Sequence, residues 1–167
     1  MNAAAKRRAE EHVGRELTRL LGLRRFIRGK PTFWVRPRDH IAEFIHLHQF
    51  SFAPRYRVHC GLRVLNDTFD GVALNGPTSD EQVDGDRRRY ELIFDESEDA
   101  ILRCAREIDD FCLEIAEPWF RSLSGPRLLL ESQTPLCAQE RRNLELSYRG
   151  EAEAGAVRRS RELLGVP

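Results

Sequence analysis

Two hydrophobic periods divide the chain. Over residues 3–21, Val13, Leu17, Leu20 and Leu21 recur at helical spacing, with Gly22 following as a candidate C-cap. Alternation then takes over. "RRFI", "TFWVR", "HIAEFIHLHQF" and "RYRVHCGLRVL" read as strands, punctuated by Gly29-Lys30-Pro31, Pro37 and Pro54. The polar stretch 66–88 reads as a long surface loop, and "RYELIF" at 89–94 as a further strand with Tyr90, Leu92 and Phe94 inward. Helical spacing returns after Ser97, an N-cap candidate with Glu98 and Asp99 in the first turn. Ile101, Cys104, Ile108, Phe111, Cys112 and Ile115 then share one face. This helix ends near Pro118 or runs on through Trp119 and Phe120. "RLLLE" reads as a short extended piece, and the last two segments as a helical hairpin turning at Gly150.

Helices at the ends and strands in the middle predict an α+β fold. The expectation is a single domain over 1–167, with a central antiparallel sheet of about five strands, helices packed on one face and a C-terminal helical hairpin. Alternation also assigns faces. Ile41, Ile45 and Leu47 point one way; His40, Ala42, Phe44, His46 and His48 point the other. In the next strand Tyr56, Val58, Cys60, Leu62 and Val64 oppose Arg57, His59, Gly61 and Arg63. A hairpin centred between Phe52 and Ala53 sets Leu47 against Val58 and Ile45 against Cys60, which brings His46 opposite His59 and His48 opposite Arg57. A one-residue slip would mix polar and apolar sets. Pairing 32–36 with 41–45 through "RPRDH", with Val35 opposite Ile41, adds Trp34 and Thr32 to the histidine side.

Composition narrows the class. The 167 residues are 41% hydrophobic and 32% charged, the profile of an ordinary globule. No apolar run approaches the roughly 20 residues of a membrane span, and the N-terminus has no apolar signal core, so the expected location is cytoplasmic, with no membrane partner. Net charge is zero but uneven: residues 1–63 carry 14 basic and 5 acidic side chains, residues 64–118 carry 5 basic and 16 acidic. That layout steers a charged partner or a head-to-tail homodimer, unless the two regions neutralise each other within the fold. Cys60, Cys104, Cys112 and Cys137 lack any ligand or disulfide spacing and read as small buried hydrophobes.

The candidate chemistry lies on the histidine face. His46 and His48 on one strand with His59 across can ligate zinc around an open fourth position, although Arg57 and Arg63 beside them oppose a cation. The same face, taken as Trp34, Phe44, His46, His48, Arg57, His59 and Arg63, is an aromatic-basic surface suited to a protein partner. Its Trp34, Phe44, Arg57 and Arg63 would equally suit stacked single-stranded nucleic acid. Asp80, Gln82, Asp84, Gly85 and Glu91 fall at calcium-loop positions, but Arg87 occupies the normally apolar eighth place and a strand follows where a helix is needed; an acidic turn is the reading. "RRR" at 87–89 reads as a solvated strand entry. No phosphate loop, nucleophile elbow, HExxH or GxGxxG occurs.

"LLGLRRFIRGKPTFWV", "EFIHLHQFSFAPRYRVHCGLRV" and "LELSYRGEAEAGAVRRSRELLG", in that order, resemble a bacterial family known as a domain of unknown function, numbered four-three-zero-four. The chain departs from it at Leu23, where Phe is usual, and in "VHCGL", where the family strand carries Asn. The resemblance implies an α+β fold and a bacterial cytosolic protein, and carries no catalytic residues. The leading expectation is therefore a non-enzymatic protein-interaction or binding module with no cofactor, contacting its partner through the Trp34/His46/His59 sheet face or the acidic 66–99 region. A zinc-dependent enzyme using His46, His48 and His59 comes second, and nucleic-acid binding third.

Overall fold

The computed structural model describes residues 1–80, 82–84, 87–123, 125–130, 132 and 134–167, the side chains at 82–84, 87–88 and 126 excepted. Helix α1 (Ala3–Gly22) opens on Asn2, whose Oδ1 accepts the Ala5 N–H at 2.9 Å, and buries Ala9, Val13, Leu17 and Leu21 along one stripe. The helix ends on Gly22, one residue before its C-cap Leu23. The chain reverses at Arg25, a non-glycine residue at φ 66°.

Four strands follow: β1 (Ile27–Lys30), β2 (Phe33–Pro37), β3 (Ile41–Gln49) and β4 (Tyr56–Val64), paired antiparallel in that order as one open sheet. The β3–β4 register is the one the alternation predicts, with Ile45 opposite Cys60, His46 opposite His59 and His48 opposite Arg57. The β2–β3 register is not. Val35 pairs with Phe44 and Trp34 with Ile45, because the turn is tight: Arg38 N–H bonds Ile41 C=O at 2.8 Å, and β2 continues through Pro37. Pro37 lies beyond the last β1–β2 pair, so its missing N–H leaves no ladder bond unmade. This odd displacement moves Trp34 to the opposite face from the histidines.

The predicted fifth strand at 89–94 is not a strand. Its alternation is real, since Tyr90, Leu92 and Phe94 are buried, but it joins the sheet only where Tyr56 N–H bonds Leu92 C=O and Phe94 N–H bonds Pro54 C=O. Part of the expected surface loop lies along β4 instead: Cys60 N–H donates to Pro77 C=O at 3.1 Å, Ser79 N–H to Val58 C=O at 3.0 Å, and Leu62 N–H to Asn75 Oδ1 at 2.9 Å. That blunts the β4 edge. Further along, β5 (Gln82–Asp84) pairs with β6 (Arg87–Arg88). The calcium-loop pattern crosses positions outside the described residues, and of the "RRR" run the side chains of Arg87 and Arg88 lie outside them.

Helix α2 (Glu98–Phe111) is capped by Ser97 as expected and buries Ile101, Cys104, Ile108 and Phe111. It runs on through a π turn (Cys112–Ala116) into α3 (Glu117–Ser122). Pro118 accounts for the wider turn. It has no N–H for the carbonyl four residues back, and the Glu117 N–H reaches Cys112 C=O instead. "RLLLE" is not extended; residues Gly125–Leu129 form a 3₁₀ turn. Then come α4 (Ala138–Tyr148) and α5 (Ala154–Leu164). These two do not form a hairpin core of their own: Leu144 joins the larger hydrophobic cluster, Leu164 a smaller one.

Helices therefore lie on both sides of the sheet, not one. The face bearing Trp34, Ile45, Leu47, Val58 and Cys60 packs on α1, α2 and α3. The other, bearing Val35, Ala42 and Phe44, forms a second buried cluster with Leu65, Leu164 and Val166. Gly61 lets this second layer close: a Cβ there would overlap the Phe44 ring. Gly61→Ala is expected to destabilise the fold by about 1–3 kcal/mol, read from chemical denaturation; a neutral result would mean that Phe44 does not rest on Gly61. Cys60, Cys104 and Cys112 are buried as expected, but Cys137 is exposed and caps α4, its N–H bonding Glu140 Oε2 at 2.7 Å.

Candidate functional site

The predicted surface does not stay together. Trp34 is 0% exposed on the α1 face, where its Nε1–H donates to Thr18 Oγ1 at 3.0 Å and Arg28 lies over its ring. Phe44 is on the histidine face but sealed beneath Leu164 and Val166. Arg63 is buried too, its guanidinium bonded to Ser160 Oγ at 2.9 Å and Phe69 C=O at 2.9 Å, and to the Gly71 carbonyl. It ties α5 and the 67–71 turn to the sheet. An aromatic-basic platform of Trp34, Phe44, Arg57 and Arg63 is therefore not available to a base stack: of the four, only Arg57 keeps some exposure, and its guanidinium pairs with Asp80.

What remains is a strip. Phe33 stacks on His46 at 4.3 Å between ring centroids, and His46 on His59 at 6.2 Å, with His48 exposed beyond them. Stacked imidazoles present faces, not lone pairs, to each other. Among the described residues no group of three His, Cys, Asp or Glu side chains is arranged to hold a metal ion. Burial lowers the pKa of both His46 and His59, and the neighbouring imidazoles and Arg57 lower His59 further, while Asp80 acts the other way. The unfolded chain therefore takes up these protons first. The stability held above the ordinary histidine value of 6.5 is expected to be lost as pH falls below it through the two depressed values. Urea midpoints across that window check this. His59→Gln should flatten the fall, and an unchanged slope would refute the assignment.

A second site, which the sequence reading missed, lies on the other face, at the end of the sheet near the 38–41 turn. Arg36 and Glu43 pair across β2 and β3 at inward positions, with side chains 9% and 7% exposed. Glu117, delivered by the first turn of α3, reaches the same guanidinium, with Nη1 to Oε1 at 2.7 Å and Nη2 to Oε2 at 3.1 Å. Nη1 also bonds Arg24 C=O at 3.1 Å, and the ring of Phe26 lies 4.4 Å from the Arg36 guanidinium carbon. Burial works against the charged Arg36, but the bonds and charges of Glu117 and Glu43 outweigh it and hold the pKa above the ordinary arginine value.

Above this fixed triad opens a cleft of about 390 Å³. Phe120, Leu123, Leu128 and Ile41 make its apolar wall. Tyr148, at the end of α4, and His40, in the tight turn, meet edge-to-face at 5.0 Å on its rim. Arg38 and Arg121 line it as well. Arg38 spends its Nε on Glu43 at 3.2 Å, and Arg121 has no hydrogen-bond or ion-pair partner among the described residues. A neighbouring cavity shares Arg36, Arg38, Glu117 and Arg121 and adds Arg25 and the exposed Leu23. One part of this site carried a signal in the sequence: Glu43 alternates with Ile41, Ile45 and Leu47 on the inward face, whereas Arg36 turns inward only through the observed β2–β3 register.

The uneven charge of the two chain segments is partly spent inside the fold, through Arg24–Asp109, Arg36–Glu117 and Arg57–Asp80. No described helix is long and apolar enough to cross a membrane. Comparison with protein families, with curated proteins and with solved structures finds no match for this chain.

Proposed function

We propose that the protein is a non-enzymatic binding module whose ligand occupies the cleft over Arg36, Glu43 and Glu117. The observation that carries this reading is the cleft floor, three charged side chains at most 17% exposed and locked to one another beneath an apolar wall. Such a floor holds its shape without a ligand, as a pre-formed pocket does. It favours binding over catalysis because both carboxylates are engaged by one guanidinium, leaving neither as a ready base. Burial pushes the thiols of Cys60 and Cys104 up to about 12, which removes them as nucleophiles at neutral pH.

Amide shift mapping with phenylbutanol, an uncharged ligand of suitable bulk, tests the reading. Shifts should cluster at Ile41, Arg121 and Tyr148 and shrink in Tyr148→Ala, a substitution at an exposed rim position. Shifts confined to the histidine strip, or none anywhere, would reject the cleft.

A second reading keeps the strip as a protein-docking surface, here for a second copy of the chain. It rests on Phe52, 84% exposed and packed on Phe50 next to His48. Sedimentation of wild type and Phe52→Glu decides it: a dimer dispersed by the substitution supports the strip, and a monomer at all concentrations rules it out.

A further inference from the structure

We infer, resting on the cleft reading, that the ligand is an organic anion with an apolar body: a carboxylate, sulfonate or phosphate group held at the mouth by Arg38 and Arg121, and a hydrocarbon or aryl portion lying on the wall backed by Phe120, Leu123 and Leu128. The formal charges lining the cleft balance, with Arg36, Arg38 and Arg121 against Asp39, Glu43 and Glu117. Their availability does not. Glu43 and Glu117 commit oxygens to Arg36 and lie on the floor, at most 17% exposed. Arg38 keeps both terminal nitrogens without a hydrogen-bond partner among the described residues, and its side chain is 48% exposed. Arg121 projects from the last turn of α3 with its whole fork unused among the described residues. Asp39 is the opposing group at the rim, exposed and therefore well screened by water. Arg25, lining the neighbouring cavity, adds a further cation on the same side.

Two guanidinium forks beside a dry wall are suited to a planar or tetrahedral anion, which each fork can take with paired N–H bonds. The apolar body follows from the wall. Phe120, Leu123 and Leu128 back it, and its accessible apolar surface comes from half-buried Ile41 and the 48%-exposed Tyr148 ring, so a ligand covering these expels water that has little to bond. Tyr148 and His40 close the rim with ring edges, which leaves room for one end of a ligand to stay wet.

The experiment compares three ligands sharing one body, phenylbutyrate, phenylbutanol and phenylbutylamine, by calorimetry and amide shift mapping on the intact chain. Phenylbutyrate is expected to bind on the order of tenfold more tightly than the alcohol, and the amine more weakly than either. Arg121→Glu should abolish the preference for the acid while leaving the unfolding midpoint unchanged, since Arg121 has no partner to lose among the described residues. Arg38→Gln should reduce it in part. Equal affinities for acid and alcohol, or an acid preference that survives Arg121→Glu, overturn the anion assignment while the cleft stands. If none of the three ligands shifts the cleft amides, both the anion and the cleft reading fall.

Discussion

Replacing Arg36 by alanine is expected to lower the unfolding free energy by about 3–5 kcal/mol, among the largest effects of any single substitution in this fold. The reason is what it leaves behind. Glu43 and Glu117 converge on one guanidinium with side chains only 7% and 17% exposed, so its loss strands two carboxylates away from water with like charges facing each other. Arg38 still reaches Glu43, but from an exposed position where its charge is screened. Arg24 C=O and the Phe26 ring lose their partner at the same time. A triple replacement of Arg36, Glu43 and Glu117 by methionine or leucine should cost far less than Arg36→Ala alone, because buried charge is then removed instead of abandoned. Urea denaturation at neutral pH measures both. A single variant within about 1 kcal/mol of wild type would mean that water reaches the carboxylates.

Trp34→Ala is expected to cost about 3–5 kcal/mol, whereas His48→Ala should stay within about 0.5 kcal/mol. The two residues were assigned to one surface by their alternation, and the comparison separates the faces. Trp34 is buried in the larger hydrophobic cluster beside its register partner Ile45, and its Nε1–H bonds Thr18, so truncation opens a cavity and removes that hydroxyl's contact. His48 is exposed with only a ring-edge contact to Phe50. Trp34→Phe should keep most of the packing and forfeit about 1 kcal/mol for the hydrogen bond. Equal, small losses for Trp34→Ala and His48→Ala would refute the β2–β3 register.

The contrast between the two hairpins explains what could be read without coordinates. β3 and β4 are long strands with strict alternation, and only one register matches apolar to apolar, so His46–His59 and His48–Arg57 follow from the pattern alone. β2 is short. Its Val35 can face Ile41 or Phe44 with equal apolar logic, and the choice rests on how tightly residues 38–41 turn, which the string "RPRDH" does not reveal. Pro37 misled in the same direction, since a proline looks like the end of a strand unless its neighbour on one side has already stopped. Tyr90, Leu92 and Phe94 alternate correctly without forming a ladder strand, because burial follows side-chain direction while strand identity follows backbone pairing. The cleft was illegible for a different reason. Arg36, Glu117 and Tyr148 lie far apart along the chain, and only the π turn ahead of Glu117 and the end of α4 bring them to one place.

The seam where Gly29 meets Leu164 and Gly165 bears on the order of events during synthesis. A Cβ at Gly29 would strike the Leu164 carbonyl, and Gly165, at φ 73°, rests on the Gly29 carbonyl, so the outermost strand is closed by residues made long after it. Until those residues emerge, Val35, Ala42 and Phe44 lack the cover of Leu164 and Val166, and a sheet completed long before must wait with part of a greasy face in water. A nascent chain halted between α4 and α5 would present that face to chaperones or to its neighbours on the same messenger. Locking of the second layer is thus a late event in folding, set by position in the chain and not by the strength of the contacts it makes.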